Sequence, residues 1–211
     1  MIIQKPITAT IAKNDQYRTA LHFERGQVVP FYIRGAIAWP EGPQEGFALL
    51  AGQRISDSKI FIFEQFRFWT IAHWLNPDGS LKTREDGSGH HLGLIQVIQD
   101  WEALYKCAAY FHGGQHIDVV RRHSLELYRH PLLPRRTGLI EVPYVKEVGD
   151  DLIREKGRTN RYMLERHSFL GQALEQWLGL QAAGVGDNNM IHCLRVILAG
   201  YEANPYVKTE I

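Results

Sequence analysis

The chain has 211 residues, of which 45% are hydrophobic and 22% charged; this is ordinary for a folded chain with a substantial core and excludes a disordered or collagen-like one. Lys and Arg number 24 against 23 Asp and Glu, a formal net charge of +1, so no global field marks the chain for nucleic acid or membrane and an anionic partner has to be met by a local patch. No apolar run approaches the ~20 residues that span a bilayer, and residues 1–6 lack the features of a signal peptide, so the expectation is one cytoplasmic α/β domain over residues 1–211.

Residues 7–12 alternate with β-branched side chains and predict a strand, with residues 18–23 as its partner. Three stronger strand signals follow: Val28 to Trp39, Phe47 to Gly52, and Lys59 to Phe68, the last two joined by a turn at Ser56-Asp57-Ser58. Asn76 to Ser80 reads as a turn, and the polar stretch Leu81 to Gly89 as a mobile loop. Leu94, Val97, Ile98, Trp101, Leu104, Tyr105 and Ala108 recur at helical spacing, with Gly113-Gly114 as the stop. His116 to Val120 reads as a short fourth strand, Ser124 to Arg129 as the opening of a helix, and Leu139 to Val145 as a strand with Pro143 at its edge. Residues 161–180 read as one amphipathic helix and Asn188 to Tyr201 as the last. Cys107 and Cys193 are isolated in apolar contexts and read as buried free thiols.

Three consecutive strands, then helix, strand and more helix is the order of an RNase H-like domain. The stretches Ile33-Arg34-Gly35-Ala36-Ile37-Ala38-Trp39-Pro40-Glu41-Gly42, Gly46 to Gly52 and Lys59 to Glu64 resemble the opening β-meander of the nuclease domains of phage terminase large subunits. Asp187-Asn188-Asn189-Met190-Ile191-His192-Cys193-Leu194-Arg195 resembles the acid-bearing start of their last helix. The resemblance implies an RNase H-like mixed sheet, with strands mainly in the first half, covered by helices. It implies a phage- or mobile-element-related role in nucleic-acid processing, either as a metal-dependent nuclease or as a degraded version of one. The family's first-strand Asp has Ala38 and Trp39 in its place, leaving Glu41 as a stand-in, and its last-helix Asp is replaced by His192.

Such a nuclease needs clustered carboxylates to hold Mg²⁺ or Mn²⁺, which activate water and stabilise the leaving oxygen. Glu41, Asp118 in the expected fourth strand, and Asp187 at the start of the last helix are the candidates, with His192 nearby as a further metal ligand. Each has a plainer reading: Glu41 as a solvated turn residue, Asp118 as a partner of Arg121 or Arg122, Asp187 as a helix cap. A second candidate is a transition-metal site on His112, His116 and Asp118, with His90 and His91 nearby. Arg121, Arg122, Arg135, Arg136 and Arg158 are candidate phosphate contacts for a DNA partner; with Arg154, Lys156 and Arg161, the alternative is a solvated charged face. The aromatic segment 61–74 reads as core, or as a surface that stacks bases or meets a protein partner. A non-catalytic binding or assembly protein on the same fold is the competing reading.

Overall fold

A computed structural model describes residues 2–3, 10–13, 19–22, 28–71, 93–143, 146–180 and 188–205. In chain order they form β1 (Ile2–Ile3), β2 (Thr10–Lys13), β3 (Thr19–His22), β4 (Val28–Ala38), β5 (Gly46–Arg54), β6 (Ile60–Phe68), α1 (Leu94–Tyr105), β7 (Ala109–His112), α2 (Ile117–Arg129), β8 (Gly138–Glu141), α3 (Lys146–Arg158), β9 (Tyr162–Glu165), α4 (Phe169–Leu180) and α5 (Asn189–Ala203). The polar stretch Leu81 to Gly89, Trp74, His90, His91 and Asp187 lie outside the described residues.

β4 organises the sheet. One of its edges pairs antiparallel with β5, which pairs antiparallel with β6. Its other edge is shared: residues 28–31 pair with β3 of the β2–β3 hairpin, while Gly35 and Ala36 pair in parallel with β7. β8 adds parallel to β7, and β9 adds parallel to β6 with β1 beyond it. The spatial order β6-β5-β4-β7-β8, with an antiparallel meander followed by parallel strands reached through helices, is RNase H-like.

Alternation in β4 and β5 sorts side chains onto the two faces. Ala36, Ala38, Phe47, Leu49 and Ala51 pack with Ile153 of α3, Leu170, Leu174 and Trp177 of α4, and the apolar side of α5. Ile33, Ile37, Trp39, Ala48 and Leu50 pack with α1 and with Val120 and Leu127 of α2. The register between β5 and β6 shifts at Leu50/Ala51. That bulge reverses the parity of β6, so that Phe61, Phe66 and Phe68 all bury on the α1 side although their numbering alternates odd and even. Cys107 and Cys193 are free and buried, and burial pushes the Cys107 thiol up to about 11.

Several sequence expectations need correction. The helix expected through Ala108 ends at Tyr105, because Lys106 turns left-handed (φ 56°) and its N–H bonds back to Glu102 O. Tyr110 and Phe111 then alternate as the strand β7, which precedes Gly113-Gly114. The stretch His116 to Val120 is not a strand: the His116 ring accepts from the Asp118 N–H and opens α2, whose buried residues Val120 and Leu127 are two turns apart. Residues 161–180 divide into strand β9 and helix α4. Ser168, whose Oγ accepts from the Gly171 N–H, marks the start of α4. Helix α3 gave little apolar signal because only Gly149 and Ile153 are buried along it. No described helix is long and apolar enough to cross a membrane.

Candidate functional site

In an open α/β sheet a ligand site forms outside the carboxyl ends of the strands, where the chain reverses the direction in which strands are added. Here that point lies between β4, which leads to β5 on one side, and its parallel neighbour β7 on the other. Trp39 follows β4, His112 ends β7, and α5 starts at Asn189 against the same place. The Trp39 N–H donates to Gln115 Oε1 at 2.8 Å, and Gln115 Nε2 donates back to Trp39 O at 2.9 Å. Asn189 Nδ2 donates to the same Trp39 O at 3.0 Å and to Glu45 O at 2.7 Å, while its Oδ1 lies 3.4 Å from Gln115 Nε2. Asn189 and Gln115 thereby fasten α5 and the turn after β7 to the end of β4.

The Trp39 indole is fully buried. Its Nε1–H donates to His112 Nδ1 at 3.4 Å, and its ring stacks on His123 at 5.9 Å between centroids. Burial holds the His112 imidazole below the ordinary histidine range, with Glu141 pulling weakly the other way. An imidazole kept neutral with Nδ1 as acceptor is the form that the Trp39 bond requires. His192, on the first turn of α5, donates from Nε2 to Gly113 O at 2.9 Å. Gly113 sits at φ 124°, a conformation that glycine tolerates and a side chain would strain. The groups gathered here are therefore amides, an indole and imidazoles, and they bond one another.

Mg²⁺ and Mn²⁺ take hard oxygen ligands, above all carboxylates. Gln115 Oε1 and Asn189 Oδ1 are already accepting protein hydrogen bonds. Beside the network lies a cavity of about 360 Å³, between the β4–β5 turn, the end of β6 and the start of α5. The carboxylate lining it, Glu45, is ion-paired with Arg67. The described residues at this position do not fit a divalent-metal centre. Among the described residues there is also no group of three or more His, Cys, Asp or Glu able to hold a metal.

Glu41 stands exposed in the turn after β4, bridged through its backbone to Gln44. Asp118 lies on the first turn of α2 rather than in a strand, with its side chain 81% exposed and the His116 ring 3.6 Å away. Both leave the same end of the sheet, at the carboxyl ends of β4 and β7. The set of His112, His116 and Asp118 is not brought together as a metal site, since His112 is buried against Trp39 and His116 faces solvent. Among the cations, Arg121, Arg122, Arg135, Arg136 and Arg158 are exposed. Arg154 pairs with Asp151, Lys156 pairs with Glu202, and Arg161 bonds Asp57 O, so those three are tied into the fold. In the segment 61–74, Phe61, Phe66 and Phe68 are buried and Trp69 is the exposed aromatic among its described residues.

Gln115 and Asn189 are the residues that sequence reading passed over. Amides at strand and helix ends carry no motif, and the available signal was position alone, one just after the glycine pair and the other just inside the last helix.

No family model matches the chain, and no curated protein matches it. Among solved structures it is similar to the nuclease domain of the large terminase of bacteriophage SPP1, crystallised with bound Mn, at 9% identity and a TM-score of 0.46, over 82% of this chain and 86% of that one. It is also similar to the Holliday junction resolvase of fowlpox virus at 7% identity and a TM-score of 0.38, over 81% of this chain and 98% of that one.

Proposed function

We propose that this chain is an RNase H-like domain of nucleic-acid processing that works by binding or assembly rather than by cleavage. The observation that carries the reading is the bond set at the carboxyl ends of β4 and β7. Trp39, His112, Gln115 and Asn189 occupy the position where this fold would gather carboxylates, and they satisfy one another. The resemblance of the β4–β6 meander and of the start of α5 to terminase nuclease domains supports the nucleic-acid setting. The direct test is a Mn²⁺ titration followed by electron paramagnetic resonance. Free Mn²⁺ signal that stays undiminished as the protein is added supports the reading, and stoichiometric loss of that signal contradicts it.

A second reading keeps the enzyme. Glu41 and Asp118 emerge at the same end of the sheet where α5 begins, so with Asp187 and His192 they are the set on which Mg²⁺- or Mn²⁺-dependent cleavage of DNA would depend. In that reading Arg121, Arg122, Arg135, Arg136 and Arg158 would meet phosphates. Cleavage that Asp118→Ala and Asp187→Ala both abolish would establish it.

A further inference from the structure

Nine large apolar side chains are exposed among the described residues. Four of them, Ile117, Leu125, Tyr128 and Leu132, belong to α2 and the turn that follows it, each between 46% and 52% exposed. At about 100° per residue, Ile117, Leu125 and Tyr128 fall within roughly 80° of one another on a face of α2 centred about 110° from its buried Val120 and Leu127. Arg121 lies inside that arc and Arg129 beside it.

The segment is net basic, although Asp118 lies at the edge of the same arc, between Leu125 and Arg129. Residues 116–137 hold five arginines, two acids and no lysine, in a chain whose formal net charge is +1. The two acids have imidazole neighbours: Asp118 beside His116 at 3.6 Å and Glu126 beside His123 at 3.3 Å. Among the described residues Arg121, Arg129, Arg135 and Arg136 make no ion pair.

Half-exposed Ile and Leu side chains gain by leaving water only against an apolar partner, whereas a phosphate backbone gives them nothing. Arginine and tyrosine, in the absence of lysine, are the composition of protein-binding surfaces and of their energetic anchors. Addition of a strand is disfavoured, because the Tyr128 hydroxyl already accepts the Leu139 N–H of β8 at 3.0 Å. A helix laid along α2 satisfies both the apolar stripe and its charge.

We propose that α2 and the turn to Leu132 dock an acidic amphipathic helix of a protein partner. Its apolar stripe packs on Ile117, Leu125 and Tyr128, and its Asp and Glu flanks meet Arg121 and Arg129. This names the partner class for the binding reading above and rests on it, but the two fail separately, since metal titration and cleavage report on the carboxylates Asp118 and Asp187, whereas peptide binding reports on Leu125 and Arg121.

The experiment selects binders of the full chain from a random-peptide display library. Selected peptides are then titrated by fluorescence anisotropy against wild type, Leu125→Asp and Arg121→Glu. Both side chains are exposed, so the variants are expected to keep the wild-type unfolding midpoint, which is checked first. Expected are peptides with Leu, Ile or Phe at helical spacing between acidic residues, weakened at least about tenfold by either variant. Selected peptides that bind both variants as tightly as wild type, or a selection without acidic amphipathic sequences, would overturn the proposal. A short DNA oligonucleotide is titrated in parallel. DNA binding that Arg121→Glu abolishes and Leu125→Asp leaves intact, with no peptide competing, would assign the face to nucleic acid and overturn the proposal too.

Discussion

Asn189 holds two carbonyl groups, Trp39 O and Glu45 O, that come from opposite sides of the β4–β5 turn, and it is nearly buried while doing so. Asn189→Ala leaves both without that donor, and a loss of about 2 kcal/mol is expected in urea unfolding. Asn189→Asp is more informative. A carboxylate facing two carbonyl oxygens is repelled, so its folded-state pKa rises above the unfolded value near 4. The penalty is then absent at acid pH and grows as pH rises through that value. Comparing the variant's unfolding midpoint with wild type on both sides of pH ~4 checks this.

His112 supplies a pH dependence of the wild-type chain. Its folded-state pKa is lowered by burial, so the unfolded chain takes up the proton first as pH falls below about 6.5. The stability tied to neutral His112 is therefore fully present above that pH and is lost on the way down to the folded pKa. Midpoints measured from neutral to mildly acid pH are expected to fall, and His112→Phe is expected to flatten that limb. The sequence offered the carboxylates of this region plainly and the amides hardly at all. Acids invite a metal hypothesis from their type alone, whereas Gln115 and Asn189 take meaning only when the ends of β4, β7 and α5 meet.

Helix α5 ties the far side of the molecule together. Arg195 is 1% exposed and donates from Nε to Asp150 Oδ1 of α3 at 2.7 Å, with its guanidinium near the Trp177 ring of α4. Removing one partner of a buried pair costs on the order of 3 kcal/mol, more than replacing both by apolar groups. Asp150→Ala is thus expected to destabilise strongly, and Asp150→Ala with Arg195→Met to recover much of the loss, as read from denaturation midpoints. Gly200 lets α5 lie against β7: a Cβ there would overlap the Phe111 ring, so Gly200→Val is expected to lose about 1–3 kcal/mol.

Elements with strong periodicity were legible in sequence. The β4–β6 meander, the opening of α1 and the span of α5 follow from alternation and from helical spacing. Those that failed did so for local reasons. The run Ile117, Val119, Val120 favours a strand by its branching, yet the His116 cap makes it a helix. β9 merges in sequence with the helix of α4 because Met163 and Leu164 extend backwards the apolar series of Phe169, Leu170, Ala173 and Leu174, whereas burial of Tyr162 and Leu164 alternates as in a strand. α3 buries too little to leave a stripe.

At the level of the molecule, the sheet order β6-β5-β4-β7-β8 and the two helical layers make an RNase H-like fold, while at its switch point the described amides, indole and imidazoles bond one another and the backbone. A fold of this kind carries its function in the residues placed upon it. The exposed apolar and arginine face of α2 is the surface on which the proposed partner contact rests. The most direct test is a cleavage assay on single-stranded, duplex and branched DNA with Mg²⁺ and with Mn²⁺, using wild type, Asp118→Ala and Asp187→Ala side by side. A non-cleaving domain leaves every substrate intact in all three proteins; metal-dependent cleavage by wild type that both variants lose would contradict it.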